Sequence, residues 1–122
     1  MIIKKLLIVL FVLGISLQSF AGLKEKDVIG SWKYKVVFEQ TTLTGILKFE
    51  KKDGKLTGEV ISDDGTTFPL TKVEIKEDNI LYFELKPDYE LMSSDVTVEG
   101  KKFQGTVGNY NGEVPITGEK IE

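Results

Sequence analysis

The chain contains no cysteine and no histidine, and each of its 16 basic residues is a lysine. Without the first two residue types, Ser-His-Asp and Cys-His nucleophilic arrangements are excluded, as are the usual zinc and copper ligand sets. Without arginine the chain lacks the side chain best suited to a bidentate grip on phosphate or guanine. The formal net charge of −3 points the same way, so nucleic acid is not an expected partner. No disulfide is available, and stability has to come from a packed core alone. Beyond residue 21 no stretch has helical periodicity, apart from one turn at Leu23 to Val28, so a helical domain is not expected.

The chemistry that remains belongs to carboxylates, lysines, tyrosines and hydroxyls. Asp63-Asp64-Gly65 offers oxygens for calcium, but such a site takes about six to eight ligands and no further acidic spacing supplies them. Aspartate and glycine are also what a hairpin turn demands, and a turn is expected there. Asp88 and Asp95 have nothing in the sequence that fixes their separation as an acid and base pair. The expectation is a protein without catalytic residues, metal or cofactor.

The first 21 residues have a distinct order. Lys4 and Lys5 precede an apolar stretch from Leu6 to Leu17, and Ser19-Phe20-Ala21 forms a small-x-small site. This is the pattern of a removable signal peptide, with cleavage expected after Ala21 and export to the periplasm or the medium. A helix of that apolar length rises roughly 18 Å against a hydrocarbon core of ~30 Å, so a permanent membrane anchor is not expected. With no cysteine after the site, a lipid-anchored form is excluded too. Removing Lys4 and Lys5 leaves fourteen lysines against nineteen acids, a formal charge of −5, on residues 22–122. That length suits one domain.

From Gly30 onward apolar residues alternate with polar ones, and turn residues punctuate the runs. Trp32, Tyr34, Val36 and Phe38 fall on one face, with Lys33, Lys35 and Glu39 opposite. Leu47 and Phe49 lead to Asp53-Gly54, a strong hairpin signal because both central residues of a type I′ turn need positive φ. Leu56, Gly58 and Val60 continue the inner face, followed by Phe68, Leu70, Val73 and Ile75. The three-residue step from Leu70 to Val73 predicts a β-bulge near Thr71 and Lys72, with Pro69 at an edge or strand end. Leu81, Phe83 and Leu85 follow, then an irregular segment from Tyr89 to Asp95 ending in Val96 and Val98. Phe103, Gly105 and Val107 come next, and Asn111-Gly112 leads to Val114 and Ile116. About eight short strands result, at the spacing of an antiparallel up-and-down meander closed, or nearly closed, into a barrel.

Alternation predicts that Trp32, Phe49, Leu56, Val60, Leu81, Phe83, Val98, Phe103, Val107 and Val114 are buried. Lys33, Lys48, Glu59, Glu84, Thr97 and Thr106 should be exposed. The inward aromatics either fill the barrel or line a cup for one small apolar or aromatic molecule, since eight strands permit both. On the second reading Gly58 and Gly105 make room, and the candidate ligand-binding residues are Trp32, Tyr34, Phe49, Phe83, Phe103 and, at a hairpin mouth, Tyr110. On the first, the protein is an interaction or cell-envelope accessory module meeting a protein partner through its outer strands. Ile46, Ile61, Ile80 and Tyr82 point outward and would form the apolar patch.

Gly30-Ser31-Trp32, opening the first strand of a meander, resembles the Gly-x-Trp signature of the calycins, the lipocalins and avidins. The hairpin Lys55-Leu56-Thr57-Gly58-Glu59-Val60 after Asp53-Gly54 resembles the second hairpin of avidins, and the chain as a whole resembles small lipocalin-like secreted proteins of bacteria. The resemblance implies a barrel with Trp32 closing one end and small-ligand binding at the other. It departs from the family in two places. No arginine is present to cover the tryptophan as in lipocalins, and Trp32 is the single tryptophan where avidins enclose biotin with several. Biotin binding is therefore not implied.

Overall fold

The computed structural model describes residues 22–121. The expected signal peptide falls on residues 1–21 and lies outside them. Eight strands follow in order: β1 (Gly30–Phe38), β2 (Thr41–Lys52), β3 (Lys55–Ser62), β4 (Thr67–Lys76), β5 (Ile80–Leu85), β6 (Met92–Glu99), β7 (Lys102–Asn109) and β8 (Gly112–Lys120). Each pairs antiparallel with its neighbour, and β8 returns to β1 through Trp32↔Lys120 to Val36↔Ile116, closing the barrel. Closure leaves no free sheet edge, so every strand finds partners on both sides. Among the described residues no helix is long and apolar enough to cross a membrane.

The local signals act where the alternation places them. Asp53 (φ 52°) and Gly54 (φ 80°) form a two-residue turn between the paired Lys52 and Lys55, both in the left-handed region that an I′ turn requires. The register slips between Leu70 and Lys72, at the expected bulge. Pro69 pairs with Glu59 in a β3–β4 ladder of only three pairs, the shortest contact in the barrel. A residue without an N–H is tolerated there because the ladder is already ending. At the β7–β8 hairpin the turn sits one residue earlier than Asn111-Gly112 suggests. Asn109 and Gly112 are paired, and the Asn109 side chain accepts the Asn111 N–H at 2.8 Å. The segment after Tyr89 is more regular than expected, with β6 starting at Met92 and Ser94 buried, its hydroxyl donating to the Thr106 carbonyl at 2.8 Å.

One end of the barrel is sealed. A single turn, α1 (Glu25–Val28), lies across it and inserts Val28, which is fully buried. The fully buried indole of Trp32 donates its Nε1–H to the Val28 carbonyl at 2.8 Å and packs against Phe103 with ring centroids 5.3 Å apart. Lys120 stands above the Trp32 ring at 5.6 Å and donates to the Asp27 carbonyl at 3.3 Å. A lysine on the last strand thus lies over the tryptophan ring. Phe103 in turn fills the space above Gly118, its partner on β8, where any Cβ would overlap the ring.

Eight of the ten residues expected in the core are buried. Leu56 and Val114 are half-buried, because Leu56 stands at the thin β3–β4 seam and Val114 faces an open cavity. Lys33 and Lys48 are exposed as expected, whereas Glu59, Glu84, Thr97 and Thr106 are half-buried. Glu84 is covered by Tyr82, whose hydroxyl donates to its carboxylate.

Candidate ligand-binding cup

Because consecutive strands run in opposite directions, residues at the ends of odd strands and the beginnings of even ones share one rim. That rim collects the β1–β2, β3–β4, β5–β6 and β7–β8 connections, while α1 and the other three hairpins lie at the sealed end. Below the rim is a cavity of about 290 Å³. Leu47 and Phe83 form its floor, with Phe49 set edge-on beneath Phe83 at 5.9 Å. Val60, Val107 and Ile116 make the walls, and Val36, Phe38, Leu43, Phe68, Met92 and Val114 make the upper tier. Phe38 and Leu43 are 51% and 53% exposed, so the top is open to solvent. Tyr34 and Ser62 are the polar side chains of the lining.

Tyr34 owes its position to a glycine, Gly45. It is paired with Gly45 on β2 and Gly118 on β8, and its ring lies where a Gly45 Cβ would be. Burial pushes its phenol above the ordinary value of 10.0, the Ser62 hydroxyl partly offsets this, and the charges of Asp63 and Asp64 raise it further. At neutral pH it is a neutral hydroxyl on an apolar wall, able to give or accept one hydrogen bond.

Of the six residues singled out from the sequence, Tyr34 and Phe83 line the cup. Trp32, Phe49 and Phe103 belong to the sealed half, where they fill the barrel and hold its floor. Tyr110 lies in the hairpin at the open rim, but it is 87% exposed and is not part of the lining. Gly58 and Gly105 do not make room for a ligand. A Cβ on Gly58 would lie 2.6 Å from the Lys48 carbonyl, and one on Gly105 would strike the β6 backbone at Asp95. They let the adjacent strand's backbone approach closely. The residues missed are two rim aromatics, Phe38 and Phe68, and aliphatic ones such as Leu43, Leu47, Val60, Met92, Val107 and Ile116.

The outward apolar quartet does not form a patch. Ile46 and Ile61 are cross-strand partners on β2 and β3, while Ile80 and Tyr82 lie beyond β4 on β5. Lys76 covers the Tyr82 ring at 4.2 Å, closing that surface to an apolar partner. A broader concavity of about 760 Å³ on the outer face of the barrel is lined chiefly by lysines, threonines and carboxylates such as Lys33, Thr42, Glu99 and Thr117. Its polar lining makes it a solvated surface rather than a competitor to the cup.

The fold and this cavity define a closed, eight-stranded antiparallel barrel with one sealed and one open end. No protein-family model matches the chain, and no curated protein matches it in sequence. Among solved structures it is similar to a de novo designed fluorescence-activating β-barrel, with a TM-score of 0.56 at 12% identity over 79% of this chain and 95% of that one. At that identity the likeness is one of fold.

Proposed function

We propose that this is an exported, non-catalytic binder of one small, largely apolar molecule, taken up through the open rim of the barrel. The observation that carries the reading is the apolar cavity of about 290 Å³ above a packed floor, with one sealed end beneath it. Cavities of this kind, apolar with a few placed polar groups, are the usual form of a small-molecule site. Tyr34 and Ser62 supply the orienting hydroxyls, and Phe38, Phe68, Phe83 and the aliphatic walls supply contact area. Export rests on the Lys4/Lys5 and Ser19-Phe20-Ala21 pattern. Kinship with the calycins rests on Gly30-Ser31-Trp32 together with the sealed end that Trp32 builds. The fold shared with a designed fluorescence-activating barrel suits a pocketed barrel, and it identifies no ligand.

The experiment is native mass spectrometry of protein recovered from the exported fraction, combined with displacement of an environment-sensitive dye. A bound small molecule, or saturable dye uptake lost in a variant with a filled cup, supports the proposal. A solid barrel with no uptake overturns it. A protein partner is the second reading, and it would engage the rim, where Phe38, Leu43, Tyr89, Leu91 and Tyr110 are exposed, rather than the outer strands.

A further inference from the structure

The charges around the open rim are predominantly negative. Its connections carry Glu39, Asp63, Asp64, Asp88 and Glu90, Glu113 follows just after the β7–β8 turn, and Lys86 is the one lysine set against these six. All six carboxylates are exposed. Among the described residues the ion pairs are Lys51–Glu25, Lys72–Glu74 and Lys76–Asp95, none of which involves a rim carboxylate. The hydrogen bonds recorded for the rim acids come from neutral donors: Thr44 to Asp63, the Thr66 N–H to Asp64 at 2.9 Å, and Asn109 to Glu90 at 3.0 Å. The sealed end is mixed, with Lys52, Lys55, Lys101 and Lys102 flanking its hairpins. The net negative charge of the domain is thus gathered around the mouth of an apolar cavity, where low-dielectric walls focus its field.

Aromatic faces stand at the same mouth. Phe38 is half exposed at the top of the cup. Tyr89 is fully exposed in the β5–β6 connection, where Asp88 (φ 54°) and Tyr89 (φ 67°) are consecutive non-glycine residues in the left-handed region. That conformation costs free energy and presents the ring to solvent beside Pro87, a lining residue. Anionic groups and aromatic faces together attract organic cations.

We infer that the ligand is a cationic amphiphile: an apolar body that fills the cup and an ammonium-type group held at the rim by the acidic loops and the exposed aromatics. The inference rests on the binding function proposed above and narrows it to one charge class. An anionic amphiphile of the same body would bring its head into a field of like sign, and a neutral one would gain only the apolar contact.

The test uses octyltrimethylammonium, octanol and octyl sulfate, each below its micelle-forming concentration, titrated calorimetrically into the purified protein at low ionic strength. The expected result is binding of the cation about tenfold or more tighter than the sulfate, with octanol between them, and a preference that shrinks at ~0.5 M salt as the Debye length shortens. In the exposed-rim variant Glu39→Gln/Asp64→Asn/Glu113→Gln the cation and the sulfate should converge while octanol is unchanged. Equal binding of all three compounds, or a preference untouched by salt, would overturn the charge assignment and leave the apolar site standing. Absence of binding by octanol as well would overturn both.

Discussion

Replacing Trp32 by alanine tests whether the two halves of the barrel do different work. The side chain is fully buried, packs on Phe103, spends its only N–H on the Val28 carbonyl and lies under Lys120. Truncating a buried aromatic of this size costs about 3–5 kcal/mol, against a total of about 5–15 kcal/mol for a domain. The variant should therefore lose a large share of its stability, with a fall in Tm of at least ~12 °C at about 4–8 °C per kcal/mol for a domain of roughly this size. Trp32→Phe keeps most of the ring but strands the Val28 carbonyl, so its cost should be about 1–3 kcal/mol. Lys120→Met keeps the aliphatic stem and removes the cation, at about 0.5–1 kcal/mol. Urea midpoints followed by circular dichroism, at constant m-value, rank the three variants. Trp32 is not part of the cup, so folded Trp32→Phe protein should bind an apolar dye like the parent. A Trp32→Ala cost under about 1 kcal/mol, or dye affinity lost in Trp32→Phe at retained stability, would refute the division into sealed plug and open cup.

Filling the cup should separate binding from folding. Val114→Phe, at a half-buried lining position, should change stability by no more than ~1.5 kcal/mol while abolishing dye uptake, measured by fluorescence titration and urea melts side by side. Gly118→Ala adds a Cβ into the Phe103 ring and should cost about 1–3 kcal/mol or more, whereas Gly54→Ala meets no neighbour and should cost only the ~1 kcal/mol of its positive φ. Burial raises the Tyr34 phenol, and acceptance of its hydrogen bond by Glu84 is the first cause that raises that of Tyr82. The folded state therefore holds these protons more tightly than the unfolded one. Their contribution to stability is complete below pH 10 and falls as the pH rises through 10 toward the raised folded values, which thermal melts from pH 8 to 11 and ultraviolet titration of the tyrosines would show.

Much of the fold was legible because alternation and turn chemistry are local. Asp53-Gly54, the three-residue step at Leu70 to Val73 and the inward set from Trp32 to Val107 each express a constraint within a few residues, and each holds in the structure except at half-buried Leu56. What alternation does not report is how deep a residue lies along the barrel axis. Trp32, Tyr34, Val36 and Phe38 share one parity, yet they run from a sealed core to a half-exposed rim. Lys120 over Trp32 was not legible either, because it depends on the closure of β8 against β1, a contact between the two ends of the domain.

Depth can nevertheless be recovered from the meander itself, and that is where the candidate residues and the cavity lining part. In an up-and-down barrel the direction of travel reverses at every hairpin, so height is set by a residue's distance from the nearest turn and by the parity of its strand. Trp32 near the start of β1, Phe49 near the end of β2 and Phe103 at the start of β7 all lie toward the end that carries α1. Phe38 ending β1, Leu43 starting β2, Phe68 starting β4 and Met92 starting β6 all lie toward the other. Selecting candidates by aromaticity alone mixed the two levels, and three of the six fell into the plug. Sorting by level instead brings the aliphatic lining into view, and it also places Glu39, Asp63, Asp64, Asp88, Glu90 and Glu113 together at the open end. In the linear sequence these acids are scattered over 75 positions among compensating lysines. Only the reversal of chain direction at each turn gathers these six acids on the mouth, while most lysines fall on the flanks and at the mixed sealed end.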